Sequence, residues 1–340
     1  MNSVPFAFCE QVCNYLMKWD LSEAEKLSGI FGKFTRNALR NRAFSLNTVE
    51  SGIEKEAILA LCHNQKLLTP QEIETIPKKF IQKVTIHLND AQKENVSQAI
   101  VRRFPQAQCN FVLQSPFISE AWVNFACSLK RLGVVAIWKK LEDEAIRRFQ
   151  KLVVGRKLCW IIVNEEACEG DFMMMLKIVF CQDQFEQLRI GNYSFGPWKG
   201  NAVRELLHFW EEDSSGKLRG KHFSLDGNCK GGVAQLEQFL ISRAPVSGPS
   251  DRRLPLEICS KEECDFLDKY YRYRIMIFLR PSCVYKFEQG EGDQRRRLYI
   301  SFECAKKVEP TTGRRLAASH SGCVAITSMR NTSFLHILFV

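Results

Sequence analysis

The 340-residue sequence has no C-x-x-C pair, no H-x-x-x-H or H-E-x-x-H, and no phosphate-loop signature. These absences remove the common zinc, zincin and nucleotide-binding readings. Cys9 and Cys13 are four apart and Cys259 and Cys264 five apart. Cys127, Cys159 and Cys181 lie in apolar stretches, where a thiol acts as a small hydrophobe. Fourteen unpaired cysteines in a chain this large read as structural thiols of a reducing compartment. The apolar runs Phe172–Cys181 and Phe334–Val340 fall far short of the ~20 residues a spanning helix needs. Val4 to Met17 lacks a preceding basic region and carries Glu10, unlike a secretory signal. The longest basic run is Arg295-Arg296-Arg297, so the net charge of +10 is spread thinly. Acidic residues are interleaved with basic ones almost throughout, which disfavours a nucleic-acid stripe. A soluble protein is expected, cytoplasmic or nuclear, with no membrane partner.

What is present is apolar content of 45%, charged content of 25% and 24 Phe, the composition of a folded chain with an aromatic core. The length favours a small module plus a larger one. Phe8, Val12, Tyr15 and Leu16 fall at helical spacing after Pro5, which suits a helix entry. Asp20 and Glu23 form a capping box for a second helix, with Leu21, Ala24 and Leu27 as its apolar face. A third stripe, Phe31, Phe34 and Leu39, follows a break at Gly29 or Gly32. Three helices in about forty residues bury little alone and need a partner.

Those residues resemble an F-box, the three-helix module that docks a Skp-family adaptor of cullin-based ubiquitin ligases. Val4-Pro5 stands where the family opens with Leu-Pro, and Val12 stands at its buried Ile. Tyr15-Leu16, Asp20-Leu21 and Leu27-Ser28 match its later steps without a gap, while Phe31 replaces its usual Trp. The opening Val4-Pro5-Phe6, with Phe8-Cys9-Glu10 and Val12, also resembles a nematode-expanded F-box-like family. The resemblance implies that Val4, Pro5, Phe8, Val12, Leu16 and Leu21 contact the adaptor.

A connector over 46–79 reads as helical, from the apolar run Ile53–Leu61 and the helix-start signature Thr69-Pro70-Gln71-Glu72. From Phe80 the chain alternates short β-rich runs with amphipathic ones. The β-rich runs share an apolar-x-x-apolar-x-apolar register: Ile81, Val84, Ile86; Leu132, Val135, Ile137; Leu158, Ile161, Val163; Phe185, Leu188, Ile190. Phe111 with Leu113, and Phe223 with Leu225, keep the last two positions. Anchors at Val84, Phe111, Val135, Ile161, Leu188 and Phe223 are 27, 24, 26, 27 and 35 residues apart. That period and pattern point to leucine-rich-repeat-like units, with an open βαβ sheet as the rival. Asn89 and Asn228, three residues past the last apolar position, are placed to bond backbone where the strand turns away.

The fold expected is therefore α/β: an F-box module over 1–45, the connector, and a leucine-rich-repeat-like solenoid over 80–246. A β-rich cap over 251–308 and an irregular tail over 309–340 complete it. Within the cap, Tyr270–Leu279 alternates as a strand, and Cys283–Phe287 with Arg297–Phe302 reads as a hairpin. Gly227-Asn228-Cys229-Lys230-Gly231-Gly232 lacks phosphate-loop spacing and reads as a turn.

If the apolar positions face inward, the alternate ones line an opposite face, among them Lys83, Thr85, Asn110, Val112, Gln114, Ile162 and Ser224. His87, Trp138, Trp160, Arg189 and His222 are its target-binding candidates, because Trp and Arg are enriched in interface hot spots. The function this implies is substrate recognition for a ubiquitin ligase, with no catalytic residue, metal or cofactor. The alternatives are an interaction scaffold without a ligase role and a nucleic-acid binder.

Overall fold

The computed structural model describes residues 5–16, 21, 23–61, 77–90, 94–193, 196–243, 254–271, 277–292, 295–304, 316–324 and 326–340. The chain is mixed α/β and forms two compact units, residues 1–136 with 147–152, and residues 137–146 with 153–340.

The first unit opens with helix α1 (Phe6–Tyr15) and helix α2 (Gly29–Asn41). Leu21, Glu23 and Ala24 between them are helical, while Asp20 lies outside the described residues. Cys13, Leu21 and Ala38 make a small core, edged by Leu16, Phe31, Phe34 and Leu39. Gly32 sits where any Cβ would lie 1.9 Å from the Leu27 carbonyl oxygen, so only glycine lets the helix pass so close. Arg42 closes the module by donating to the carbonyls of Leu16 and Cys13, at 2.8 and 2.9 Å.

The next segment departs from the sequence reading. Ile53–Leu61 is not a helix but strand β2, paired antiparallel with β1 (Ala43–Glu50). Ser51 (φ 51°) and Gly52 (φ 69°) both take left-handed backbone at its turn, as a tight hairpin requires. The Thr69–Glu72 signature lies outside the described residues. Strands β3 (Ile81–Leu88), β4 (Gln108–Leu113) and β5 (Leu132–Ile137) continue the sheet in the order β2-β1-β3-β4-β5, with β1, β3 and β4 parallel. Helices α3 (Glu94–Arg103), α4 (Glu120–Ser128) and α5 (Asp143–Val154) alternate with the strands. Phe111 of β4 packs edge-on against Trp122 and Phe125 of α4, so the following helix covers the strand's apolar side.

The second unit continues with β6 (Trp160–Asn164), α6 (Gly170–Phe180), β7 (Gln187–Asn192), α7 (Ala202–Glu212), β8 (His222–Gly227) and α8 (Lys230–Ile241). β6, β7 and β8 are parallel neighbours in chain order. The helices follow that order too: Lys177 of α6 pairs with Glu205 of α7 at 3.0 Å, and Arg204 of α7 bonds Gln238 of α8 at 2.8 Å. Across both units, the twelve residues at the last two register positions are at most 4% exposed. The apolar face read for each strand is buried, but Val112, Ala136 and Ser224 on the alternate face are buried as well. Val203, Leu206, Leu207 and Trp210 form the buried stripe of α7.

Beyond 254 the chain departs from the cap and tail that the sequence implied. Tyr270 and Tyr271 end a helix, α9 (Lys261–Tyr271), and do not start a strand. Tyr273 and Arg274 lie outside the described residues. β9 (Glu257–Ile258), β11 (Tyr285–Gln289) and β12 (Arg296–Phe302) extend the sheet antiparallel, with β11 and β12 forming the expected hairpin. β10 (Ile277–Phe278) and β13 (Leu316–Ala317) pair separately. The tail is not irregular: Phe334–Phe339 is strand β14, inserted between β8 and β12. Its Phe339 packs with Phe180, Trp210 and Phe223 on the helix side. Its Leu338 packs on the other side with Cys264 and Leu267 of α9. A strand covered on both faces carries no alternation, which is why its sequence shows no period.

Candidate interaction surfaces

The F-box-like residues divide into three groups. Pro5 and Phe8 are exposed, and Phe8 keeps 57% of its surface in water. Val12 and Leu16 are half-buried, whereas Leu21 is fully buried in the module core and does not face outward. Val4 lies outside the described residues. Phe6, Leu27 and Ile30 add further exposed apolar surface beyond the six residues that the resemblance assigned to the adaptor.

On the non-helix side of the first unit, Thr85 pairs with Asn110 and His87 with Val112 across the parallel strands. His87 contacts Gln114 at 3.2 Å, and burial lowers its pKa. Lys83 is exposed, Thr85, Asn110 and Gln114 are half-buried, and Val112 is buried. This face mixes those polar side chains with Val112 and with half-buried Phe44 and Leu46 of β1, which pair with Lys83 and Thr85.

The second unit differs. In register order, Trp160, Gln187 and His222 form one row, and Ile162, Arg189, Ser224 and His336 the next. Trp138 stacks on Tyr193 with ring centroids 4.6 Å apart. The Tyr193 hydroxyl donates to Asp226 at 3.1 Å, and Asp226 also meets Arg189 at 3.4 Å. The Arg189 guanidinium lies over the Phe334 ring at 5.5 Å. Burial and the Asp226 carboxylate push the Tyr193 phenol well above its usual range, so it stays a donor. Gly191 makes room for this arrangement, since a Cβ there would sit 2.2 Å from the Tyr193 ring. Trp138 and Arg189 therefore belong to one aromatic and cationic cluster. Tyr193, Asp226 and Phe334 complete it, and no spacing in the sequence pointed to them.

The other two candidates sit elsewhere. Trp160 is half-buried and donates to Glu186 at 3.0 Å, at the edge of the row. His222 packs against His336, ring to ring at 4.9 Å. Burial, then Lys221, lowers the His222 pKa to about 4, and burial keeps His336 well below its usual value. His222 is half-buried, with its ring against the buried His336. Ser224 is also fully buried, bonded to Gln187 at 3.2 Å.

The glycine-rich turn acts as packing. Gly227 has φ +79° and lies against the Asn192 carbonyl, and Gly231 and Gly232 lie against Trp198. Asn228 bonds the Gly196 carbonyl at 3.1 Å, as its position implied, whereas Asn89 Oδ1 finds no partner among the described residues. A cleft of about 840 Å³ opens beside Trp210, Arg219, Gln289 and Arg296. Its arginines are partly engaged; Arg296, for example, donates to the Trp210 carbonyl at the end of α7. Among the described residues no group of three or more His, Cys, Asp or Glu is arranged to hold a metal. None of the described helices is long and apolar enough to cross a membrane.

No family model, curated protein or solved structure matches the chain. The functional reading rests on the two surfaces themselves.

Proposed function

We propose that the protein is a substrate-recognition adaptor of a cullin-based ubiquitin ligase, bound to a Skp-family partner through its N-terminal helices. The observation that carries this reading is the apolar surface of those helices. Phe6, Phe8, Leu27 and Ile30 are each about half exposed or more, beside a small core of Cys13, Leu21 and Ala38 among the described residues. Such a surface is stable in water only at a cost, and a docked partner removes it. Within each unit the following strands are parallel neighbours in chain order, which supports reading them as leucine-rich-repeat-like β–α units. The Trp138–Tyr193–Arg189 cluster is the candidate target surface, having the residue types that dominate interface energetics. The adaptor's contribution to ubiquitin transfer is proximity.

A second reading, an interaction scaffold with no ligase link, shares the target surface and lacks the first contact. A pulldown with a purified Skp-family adaptor separates the two. Wild type is expected to bind and Phe8→Asp to lose binding, while circular dichroism stays unchanged because Phe8 is exposed. Failure of wild type to bind removes the ligase role and leaves the scaffold.

A further inference from the structure

The cleft of the second unit lies between the end of α7, the turn over 213–219 and the β11–β12 hairpin. Its volume of about 840 Å³ is that of a small-molecule site. Arg219, Arg295, Arg296 and Arg297 line it, against the carboxylates of Glu211 and Asp213. Both carboxylates are committed to neighbours. Glu211 accepts from Arg243 Nε at 2.6 Å and from Gln289 at 3.0 Å. Asp213 accepts the N–H groups of Ser215 and Leu218 at 3.0 and 2.9 Å. The arginines are less well matched. Arg295 and Arg297 share the one carboxylate of Glu288, which Lys286 also approaches at 3.5 Å. Arg296 donates to the carbonyls of Trp210 and Glu211, which carry only partial charge. Arg219 is exposed, and its side chain has no hydrogen bond or ion pair among the described residues. Val340, on the same wall, has its oxygen bonded to the Arg297 N–H at 2.8 Å. Gly290 (φ 83°) and Gly292 (φ 56°) form the hairpin rim, so no side chain fills it at those two positions.

We propose that this cleft binds a compact polyanion, a small molecule carrying two or more phosphate groups, through Arg219 and Arg295 with Arg297 behind them. Guanidinium groups present planar donor forks that match phosphate oxygens, and charge-assisted bonds of this kind are the strong ones. A single phosphate fills a small part of the cleft and uses one wall. Arg219 stands on the turn and Arg295 on the hairpin, so a ligand with several phosphates engages both. The walls offer little to a ring. Trp210 is 4% exposed and stacked on Phe339, and Leu218 is 1% exposed. A nucleobase would find no open aromatic face to stack on, which favours a ligand that is mostly charge. This site is independent of the adaptor role and of the Trp138 surface.

The test is isothermal titration of the full chain with inorganic tripolyphosphate, orthophosphate and citrate. Tripolyphosphate is expected to bind at one site, at least about tenfold tighter than orthophosphate or citrate, and more weakly as salt is added. Arg219→Gln and Arg295→Gln should each weaken it about tenfold, the loss of one charge-assisted contact. Both side chains are exposed, so circular dichroism should be unchanged. Lys230→Gln, exposed at the start of α8 and outside the cleft, should leave the affinity as it is. Absence of tripolyphosphate binding at millimolar concentration overturns the proposal. So does a loss in Lys230→Gln equal to that in Arg219→Gln, which marks diffuse attraction to a basic protein. Citrate or orthophosphate binding as tightly as tripolyphosphate overturns the assignment to a ligand with several phosphates.

Discussion

The N-terminal helices and the second unit handle apolar side chains in opposite ways. The helices bury Cys13, Leu21 and Ala38 and leave Phe6, Phe8, Leu27 and Ile30 in water. The second unit buries Phe172, Phe180, Phe185, Phe223 and Phe339, each at most 2% exposed, with Phe180, Phe185, Phe223 and Phe339 linked by edge-on and tilted ring contacts. The same residue type thus serves two ends. In the second unit Phe makes a core that holds a surface in shape. In the helices Phe31 and Phe34 edge the small core, while Phe6 and Phe8 stay outside, where a partner can cover them.

The contrast can be broken most forcefully in the second unit. Phe180→Ala empties a site ringed by Phe185 and Phe339 and should cost about 3–5 kcal/mol, read as a lower urea midpoint. A smaller effect comes from pH. The unfolded chain takes up protons on His222 and His336 near pH 6.5, whereas the folded chain resists until about 4 for His222 and lower still for His336. Stability from this source is complete above pH 6.5 and falls as pH drops through that window. His222 alone predicts a loss of about 2 kcal/mol between pH 7 and pH 5, measured by urea unfolding. A flat profile over that range would contradict the enclosed histidine pair. Tyr193→Phe removes one hydrogen bond to Asp226 and should cost about 1 kcal/mol, with the Trp138 stack retained in tryptophan fluorescence. Phe8→Asp, in the helices, should change stability by less than about 0.5 kcal/mol, because it loses no buried contact.

Much of the fold was legible because each repeated strand is apolar on one side and mixed on the other. Val84 with Ile86 and Leu188 with Ile190 show that alternation directly, and the helices between them show a 3.6-residue stripe. The losses have separate causes. Ile53–Leu61 is rich in Leu, Ala and Glu, which favour helix, but antiparallel pairing with β1 overrides that preference. The Ser51-Gly52 turn was the available signal. Phe334–Phe339 pairs with residues more than a hundred positions earlier in β8, a contact no local pattern encodes. Tyr271 and Tyr273 alternate with Arg272 and Arg274 in the sequence as a strand would, yet Tyr270 and Tyr271 close a helix begun by Lys261.

The target surface was half legible for a related reason. Residue type selected Trp138 and Arg189, whereas the contacts that join them, Tyr193 and Asp226, come from a loop and a strand end far apart in the chain. His222 has the expected strand position and stays half-buried, and β14 sets His336 beside it.

Hydrogen exchange of the full chain, with and without a purified Skp-family adaptor, tests the central claim most directly. The account predicts slowed exchange confined to residues 5–30, around Phe6, Phe8, Leu27 and Ile30, with the β–α units unchanged. Slowing on the strand face of the second unit, or none anywhere, would contradict it.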